Sequence, residues 1–185
     1  MKKILSIIFV LLFVASFAVV GCKKEESAAD KAVADVPTED SALIDESAKE
    51  IATDDSFVAY DNETVLDKRT GLMWAAKDNG KDLNWKNAKK YCENYRGGDY
   101  TDWRMPTENE LLMMFDGAKP YKADCGFDVH LTKLIKLSCF FVWTSTTEGE
   151  DQASSFYFGE GEGTMFMFDK TLSENYRALP VRSAK

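Results

Sequence analysis

The chain of 185 residues is poor in the side chains that build metal and nucleophilic sites. Its single histidine, His130, excludes histidine-rich metal centres and leaves little for a Ser-His-Asp triad. None of its four cysteines lies in a CxxC pair, which excludes a zinc knuckle or a thioredoxin-type centre. Its 23 basic residues are outnumbered by 31 acidic ones, so phosphate attraction does not favour a nucleic-acid partner. We therefore expect no metal, no cofactor and no nucleic acid.

The one long uncharged run, Ile4 to Val20, directly follows Lys2 and Lys3. A basic start before an apolar run is the pattern of a secretory signal. The run leads into Gly21 and Cys22, and this sequence resembles a bacterial lipobox, in which a small residue precedes a cysteine that becomes lipidated. We predict a signal peptide over residues 1–21 and a diacylglyceryl group on the sulfur of Cys22.

The predicted lipid determines where the protein is held. Two or more acyl chains are enough for stable anchoring in a membrane. The alternative is an uncleaved transmembrane anchor, since a run this short lies at the lower limit for spanning a bilayer. An aspartate after the cysteine would resemble an inner-membrane retention signal, but Lys23 stands there, which favours the outer membrane.

Aromatic residues divide the remainder of the chain into two parts. Residues 23–55 contain none, and they carry eleven acids and four lysines. Such a segment has too little apolar surface to offset chain entropy, so residues 22–55 are predicted to be a disordered tether that begins at the lipidated cysteine. Residues 56–185 contain 20 of the 23 aromatic residues, including all four tryptophans, and are predicted to form one folded domain.

Two helices are predicted in the middle of this domain. Asn84 is placed to cap the first helix, whose apolar residues recur at helical spacing before the stop at Gly97-Gly98. Thr107 and Glu110 form a capping box at the start of the second, which is expected to run through Phe115 and end near Asp116-Gly117.

Apolar runs on both sides of the helices predict strands, so the fold class is α+β. The predicted strands are Phe57–Tyr60, Thr64–Leu66, Leu72–Trp74, Phe140–Thr144, Ser155–Phe158, Thr164–Phe168 and Arg177–Val181. A further short helix is possible over Leu131–Leu137.

Five segments occur in an order that resembles one known family. They are Asp67-x-x-Thr70-Gly71-Leu72-Met73-Trp74, Trp85-x-x-Ala88-x-x-Tyr91-Cys92, Asp102-Trp103-Arg104-Met105-Pro106-Thr107-x-x-Glu110-Leu111, Trp143-Thr144-Ser145 and Pro180-Val181-Arg182. Together they are similar to the Lcl C-terminal domain family over about residues 57–183. The resemblance implies a C-type-lectin-like fold, related to formylglycine-generating enzymes, in a surface-linked domain with glycan or glycosaminoglycan adhesion. It supplies no established functional residues.

A sulfated or otherwise anionic glycan needs a basic surface, but residues 56–185 carry 17 basic and 20 acidic residues. The candidate ligand-binding residues are therefore one local cluster, consisting of Lys86, Lys89, Lys90, Arg96 and the ring of Trp103. Trp103 is alternatively a core residue, as Trp74 and Trp143 are expected to be. The founding adhesin of the family has a collagen-like stalk that this sequence lacks, so its trimeric assembly does not carry over.

Three cysteines remain after lipidation, and an oxidising compartment allows them one internal bridge. Cys92 lies on the apolar stripe of the first predicted helix and is expected to be a buried thiol, so Cys125 and Cys139 are the candidate disulfide. We expect a non-catalytic lectin-like module for glycans or other cell-surface ligands. The alternative is an envelope protein–protein interaction module without sugar binding. An enzyme is not expected, because the sequence shows no convincing nucleophile and base.

Overall fold

The computed structural model describes residues 48–184. The predicted signal peptide, Cys22 and the tether up to residue 47 lie outside the described residues. Within the described range, no helix combines the length and the apolar character that crossing a bilayer requires.

Short strands dominate the described chain, and the two α-helices lie between the first four strands and the rest. The strands are β1 (Glu50–Asp54), β2 (Phe57–Tyr60), β3 (Thr64–Asp67), β4 (Leu72–Ala75), β5 (Pro120–Lys122), β6 (Asp128–His130), β7 (Phe141–Glu148), β8 (Gln152–Tyr157), β9 (Thr164–Asp169), β10 (Tyr176–Arg177) and β11 (Val181–Ser183). The helices are α1 (Trp85–Asn94) and α2 (Glu108–Leu112), with a 3₁₀ turn at Gly97–Asp99. The predicted α+β class is confirmed.

The first sheet joins the two ends of the domain. Its strand order is β1-β2-β3-β4-β11, and every neighbouring pair is antiparallel. The C-terminal strand β11 pairs with β4, with Val181 opposite Trp74 and Arg182 opposite Met73. Two motifs more than 100 residues apart in the sequence are therefore direct neighbours.

The second sheet has the order β10-β7-β8-β9, in which β10 is parallel to β7 and the other pairs are antiparallel. A register shift between Trp143 and Thr147 bends β7. One face of this sheet packs on the main core, which includes the fully buried Trp74, Phe156 and Leu131. The expectation that Trp74 and Trp143 belong to the core is confirmed, since neither is exposed.

The helices begin where the sequence predicts. The Asn84 side chain accepts a hydrogen bond from the Asn87 N–H at the start of α1. Thr107 and Glu110 form the reciprocal capping box at the start of α2. The helix α2 ends at Leu112 rather than near Asp116-Gly117 as predicted, and the chain turns so that the Asp116 N–H donates to the His130 carbonyl, 3.1 Å away.

The prediction of a tether reaching residue 55 is wrong at its C-terminal end. Strand β1 pairs with β2, and polar contacts hold it although its side chains are mostly exposed. The Asp54 carboxylate accepts hydrogen bonds from the Thr132 hydroxyl at 2.7 Å and from the Lys119 ammonium at 2.5 Å. Because backbone pairing and ion pairs replace apolar burial here, the composition of residues 50–54 does not indicate a strand.

Two further predictions fail between the helices and the C-terminus. Residues 131–137 form turns instead of a helix, and the Tyr121 hydroxyl fixes them by accepting from the Leu137 N–H and donating to the Ile135 carbonyl. The single strand predicted at Arg177–Val181 is divided into β10 and β11, which belong to different sheets. Pro180 lies between them and has no N–H with which to continue a ladder.

The structure joins Cys125 and Cys139 in a disulfide, the pairing expected from the sequence. Cys92 carries a free thiol and lies fully buried on the inner face of α1. Burial raises the pKa of this thiol to about 12, so it stays protonated and unreactive near neutral pH.

Replacing both Cys125 and Cys139 with Ala should lower the free energy of unfolding by about 3 kcal/mol, because the bridge closes a short loop. Urea unfolding followed by tryptophan fluorescence measures this difference. Reductant should lower the stability of the wild-type chain to that of the double variant and leave the variant unchanged. Equal stability of oxidised wild type and variant would contradict a stabilising bridge.

Candidate ligand-binding groove

The three lysines of the predicted basic cluster lie on the surface of α1. Lys86, Lys89 and Lys90 are all exposed. Lys89 is 3.9 Å from the Glu93 carboxylate, one turn along the helix. Arg96 is also exposed, but its guanidinium donates to the carbonyls of Glu93 and Tyr95 and so completes the end of α1. The predicted cluster is therefore present on the surface, with Arg96 engaged in helix capping.

Trp103 does not belong to this surface, and its prediction as a ligand-binding ring is corrected. Only 3% of the residue is exposed, and its indole N–H donates to the Gly97 carbonyl at 3.1 Å. The ring packs edge-on against Tyr95, with centroids 5.0 Å apart. The ring of Trp103 is therefore buried inside the domain, and a sugar cannot stack on it.

A groove of about 380 Å³ lies next to the lysine cluster and contains a different tryptophan. Its walls include Trp85, Lys89, Arg104, Thr107, Ser145 and Thr147. Helix α1 supplies the first two of these residues and β7 supplies the last two. We call this feature the Trp85 groove.

The indole of Trp85 is half-exposed and fixed in orientation. Its N–H donates to the Thr144 carbonyl at 2.8 Å, and its backbone N–H donates to the Lys170 carbonyl at 3.2 Å. The ammonium of Lys89 lies 5.6 Å from the ring centroid and that of Lys170 lies 5.3 Å away. The groove therefore presents a rigid aromatic surface with two positive charges beside it.

The opposite wall is polar and is shaped by the bend in β7. Ser145 and Thr147 are exposed there, and the Ser145 N–H donates to the Pro106 carbonyl at 2.7 Å. The side chain of Arg104 is 44% exposed and lies at the rim of the groove, where its guanidinium is paired with the Glu110 carboxylate. The helical periodicity of α1 assigns Trp85 to its apolar stripe. No local signal in the sequence indicates that its indole remains partly exposed beside β7.

Residues 63–182 match the Lcl C-terminal domain family. The chain belongs to this family. The matched region contains both helices and both walls of the Trp85 groove, while β1 and β2 precede it. No curated protein matches the chain.

Arg104, within the region that matches the Lcl C-terminal domain, supports the rim of the groove through its backbone and its side chain. Arg104 exchanges two backbone hydrogen bonds with Val181 and places its guanidinium on both oxygens of Glu110, at 2.9 and 2.5 Å. Asp102 accepts from Arg182 at 2.6 Å. Partial burial opposes ionisation of Glu110, but the hydrogen bonds from Arg104 and Thr107 lower the pKa of its carboxyl. The ion pair thus fixes the guanidinium at the rim.

A second polar cluster lies inside the Lcl C-terminal domain, away from the groove. The Asp78 carboxylate accepts from the backbone and hydroxyl of Ser138, and Arg177 donates to the same hydroxyl at 2.6 Å. Burial raises the pKa of Asp78, although these hydrogen bonds and Arg177 oppose the shift. This cluster links the loop after β4 to β10 and has its hydrogen bonds satisfied, so we assign it a structural role. Among residues 48–184, no three His, Cys, Asp or Glu side chains are grouped closely enough to hold a metal ion.

Replacing Glu110 with Gln should destabilise the domain by about 1 kcal/mol at pH 7, because it removes the charge opposite Arg104 while retaining a capping oxygen. The folded-state pKa of Glu110 is lowered, so its contribution is complete above the ordinary value of 4.5 and is lost as the pH falls through the folded pKa. Urea unfolding at pH 7 and in the acid range therefore should show the difference shrinking on acidification.

The matched control is Glu108→Gln, which removes a charge from the same helical turn. Glu108 has no ion pair among residues 48–184, so this change should cost less than the change at Glu110. A difference at Glu110 that is independent of pH would show that the ion pair is not its source.

Proposed function

We propose that this chain is an envelope lipoprotein whose Lcl C-terminal domain is a non-catalytic, lectin-like module for anionic glycans. The Trp85 groove is the observation that carries the proposal. Ligand sites of this kind combine an apolar surface with a few convergent polar groups in a concave setting.

The chemistry of the groove matches a sugar that carries carboxylate or sulfate groups. The half-exposed indole of Trp85 offers a flat surface to the C–H face of a pyranose ring. Lys89 and Lys170 lie close to the ring and attract a bound anion, although Glu93 in the same wall offsets part of the charge of Lys89. Arg104 at the rim keeps donor groups available beside its ion pair with Glu110. Ser145 and Thr147 add hydroxyl groups for sugar oxygens. The domain is slightly acidic overall, so this attraction is local and decreases with salt.

The proposed anchor follows from the sequence at the N-terminus. A signal peptide over residues 1–21 delivers the chain, a lipid on Cys22 holds it, and Lys23 favours the outer membrane. Residues 23–47 then separate the lipid from the first described residue. The partners are accordingly a membrane and a cell-surface ligand.

The proposed fold is C-type-lectin-like and related to that of formylglycine-generating enzymes. The α+β composition and the family membership are compatible with it. A formylglycine-type activity depends on reactive cysteines, whereas the Cys92 thiol is buried with a raised pKa and the other two described cysteines form a disulfide. These features support a binding role without catalysis.

An envelope protein is the second candidate ligand, and one observation favours it. The second sheet carries an aromatic cluster in which Phe141 lies 5.2 Å from Tyr157 and 5.4 Å from Phe168 between ring centroids. Phe166 in this cluster is 43% exposed. An apolar surface of this kind suits a protein partner better than a sugar.

The test uses a soluble chain of residues 48–185, which retains every described strand and core residue. We expect binding to sulfated or uronic-acid glycans on an array, with weaker signals at moderate salt than at low salt and no change between calcium and EDTA. Trp85→Ala and Lys89→Glu should each weaken binding by about tenfold or more, corresponding to the loss of one desolvated aromatic or cationic contact.

Lys90→Glu is the matched control for Lys89→Glu, because it changes the same charge on the same helix outside the groove. Binding by this variant should stay within about twofold of wild type if only the groove matters. An array without signal under all conditions would refute glycan binding and favour the protein partner. Equal losses at Lys89 and Lys90 would refute the groove as the site.

A further inference from the structure

Two lysines on the outer face of α1 have no charged partner among residues 48–184. Lys86 and Lys90 lie one helical turn apart, and both are exposed. Lys89 beside them is 3.9 Å from the Glu93 carboxylate, whereas Lys86 and Lys90 form no ion pair within this range. Arg96, also exposed, follows the end of the same helix. We call Lys86, Lys90 and Arg96 the α1 basic stripe.

The chain enters the described fold beside one end of this stripe. The Lys49 N–H donates to the Asp61 carboxylate at 2.9 Å, and the Asp61 N–H donates to the Lys49 carbonyl at 2.9 Å. The next residue, Asn62, packs on the turn after α1, since a Cβ added to Gly98 would lie only 3.0 Å from the Asn62 amide nitrogen. Gly98 is two residues from Arg96. The segment that precedes the described range therefore begins next to the C-terminal end of α1.

That segment is acidic and has the length of the helix. Residues 39–46, Glu-Asp-Ser-Ala-Leu-Ile-Asp-Glu, carry a pair of acids at each end and no basic residue. The five residues from Asp40 to Asp45 span at most about 18 Å of extended chain. The ten residues of α1 span about 15 Å. Both acidic pairs can therefore lie along the α1 basic stripe at the same time.

Attachment and charge together favour this segment as the occupant of the stripe. A segment joined to its binding surface by a few residues has an effective concentration in the millimolar range, so weak exposed ion pairs are enough to hold it. Of the acids near the entry point, Glu63 is engaged by Lys77 at 2.9 Å. Asp99 is exposed and opposes the attraction at the near end. The attraction therefore comes mainly from Lys86 and Lys90, further along the helix.

We propose that residues 39–46 dock on the α1 basic stripe of their own chain through ion pairs with Lys86, Lys90 and Arg96. The segment then runs along the outer face of α1 instead of extending away from Lys49. The docking depends neither on a lipid at Cys22 nor on a glycan in the Trp85 groove.

The test is zero-length cross-linking of the full chain in the membranes of cells that express it. A carbodiimide joins a carboxylate to a lysine amine in contact with it, with loss of water, and mass spectrometry of proteolytic peptides locates each amide. Cross-links from residues 39–46 to Lys86 and Lys90 should be at least about fivefold more abundant than those to Lys68. They should decrease by about threefold or more in about 0.5 M salt, which screens exposed charges.

Lys68 is the internal control for reach. It is exposed, has no ion pair among residues 48–184 and lies six residues beyond Asn62, about 20 Å along β3. A segment that moves freely about the entry point would react with it as readily as with α1.

A matched pair of variants tests the position of the docked segment. Asn87→Lys adds an amine to the exposed side of α1, and Asn109→Lys adds one to the exposed side of α2. The lysine at 87 should cross-link to residues 39–46 within about threefold of the level at Lys90, whereas the lysine at 109 should stay near the level of Lys68.

Each outcome decides the proposal, because Lys77 and Glu63 are 2.9 Å apart and their cross-link reports in every sample that the reagent works and the fold is intact. Enrichment at α1, with a gain at position 87 and none at 109, supports the docking. Equal reaction of all exposed lysines overturns it. Cross-links from the stripe to another protein, with none to residues 39–46, also overturn it and make the stripe an interface with that partner. Glycan binding is measured on residues 48–185, which lack the segment, so the two proposals fail independently.

Discussion

The pairing of β11 with β4 is the constraint on which the remainder of the domain depends. It places Val181 opposite Trp74 and closes the first sheet over the main core. Arg104 forms two backbone hydrogen bonds with Val181 of β11, and its guanidinium binds Glu110. Because Glu110 belongs to α2, this ion pair positions α2 relative to the first sheet. Three family segments that are far apart in the sequence therefore meet at this point: strand β4, strand β11 and the segment around Arg104. The Trp85 groove inherits its rigidity from this contact, since Arg104 forms part of its rim.

The features that the sequence predicts well are those governed by neighbours in the chain. The Asn84 cap and the Thr107–Glu110 capping box depend on residues three positions apart, and both helices start where expected. The cysteine pairing was accessible because helical periodicity assigned Cys92 to the interior and left two candidates. Local rules of capping and periodicity thus predict the two helices and the approximate positions of most strands.

The features that the sequence does not predict depend on distant partners. Strand β1 exists because Lys119 and Thr132, both far along the chain, bind Asp54. The three-residue strands β5 and β6 are too short to show alternation. Trp103 is enclosed by the 3₁₀ turn, as its alternative assignment to the core predicted, and Trp85 is left at the surface. Both tryptophans lie in apolar contexts, so only the packing of β7 against α1 distinguishes them.

Strand β1 also determines how the domain responds to pulling from its N-terminal side. Force that enters there reaches an outer strand whose side chains are largely solvated, held by β2 and by the contacts of Asp54. An edge strand loaded at its end yields one hydrogen bond at a time, so β1 gives way before the core is strained. Its release adds roughly 17 Å of extended chain, at up to 3.6 Å per residue. Unpairing of β1 therefore lengthens the N-terminal link while the other four strands of the sheet, β2, β3, β4 and β11, stay paired.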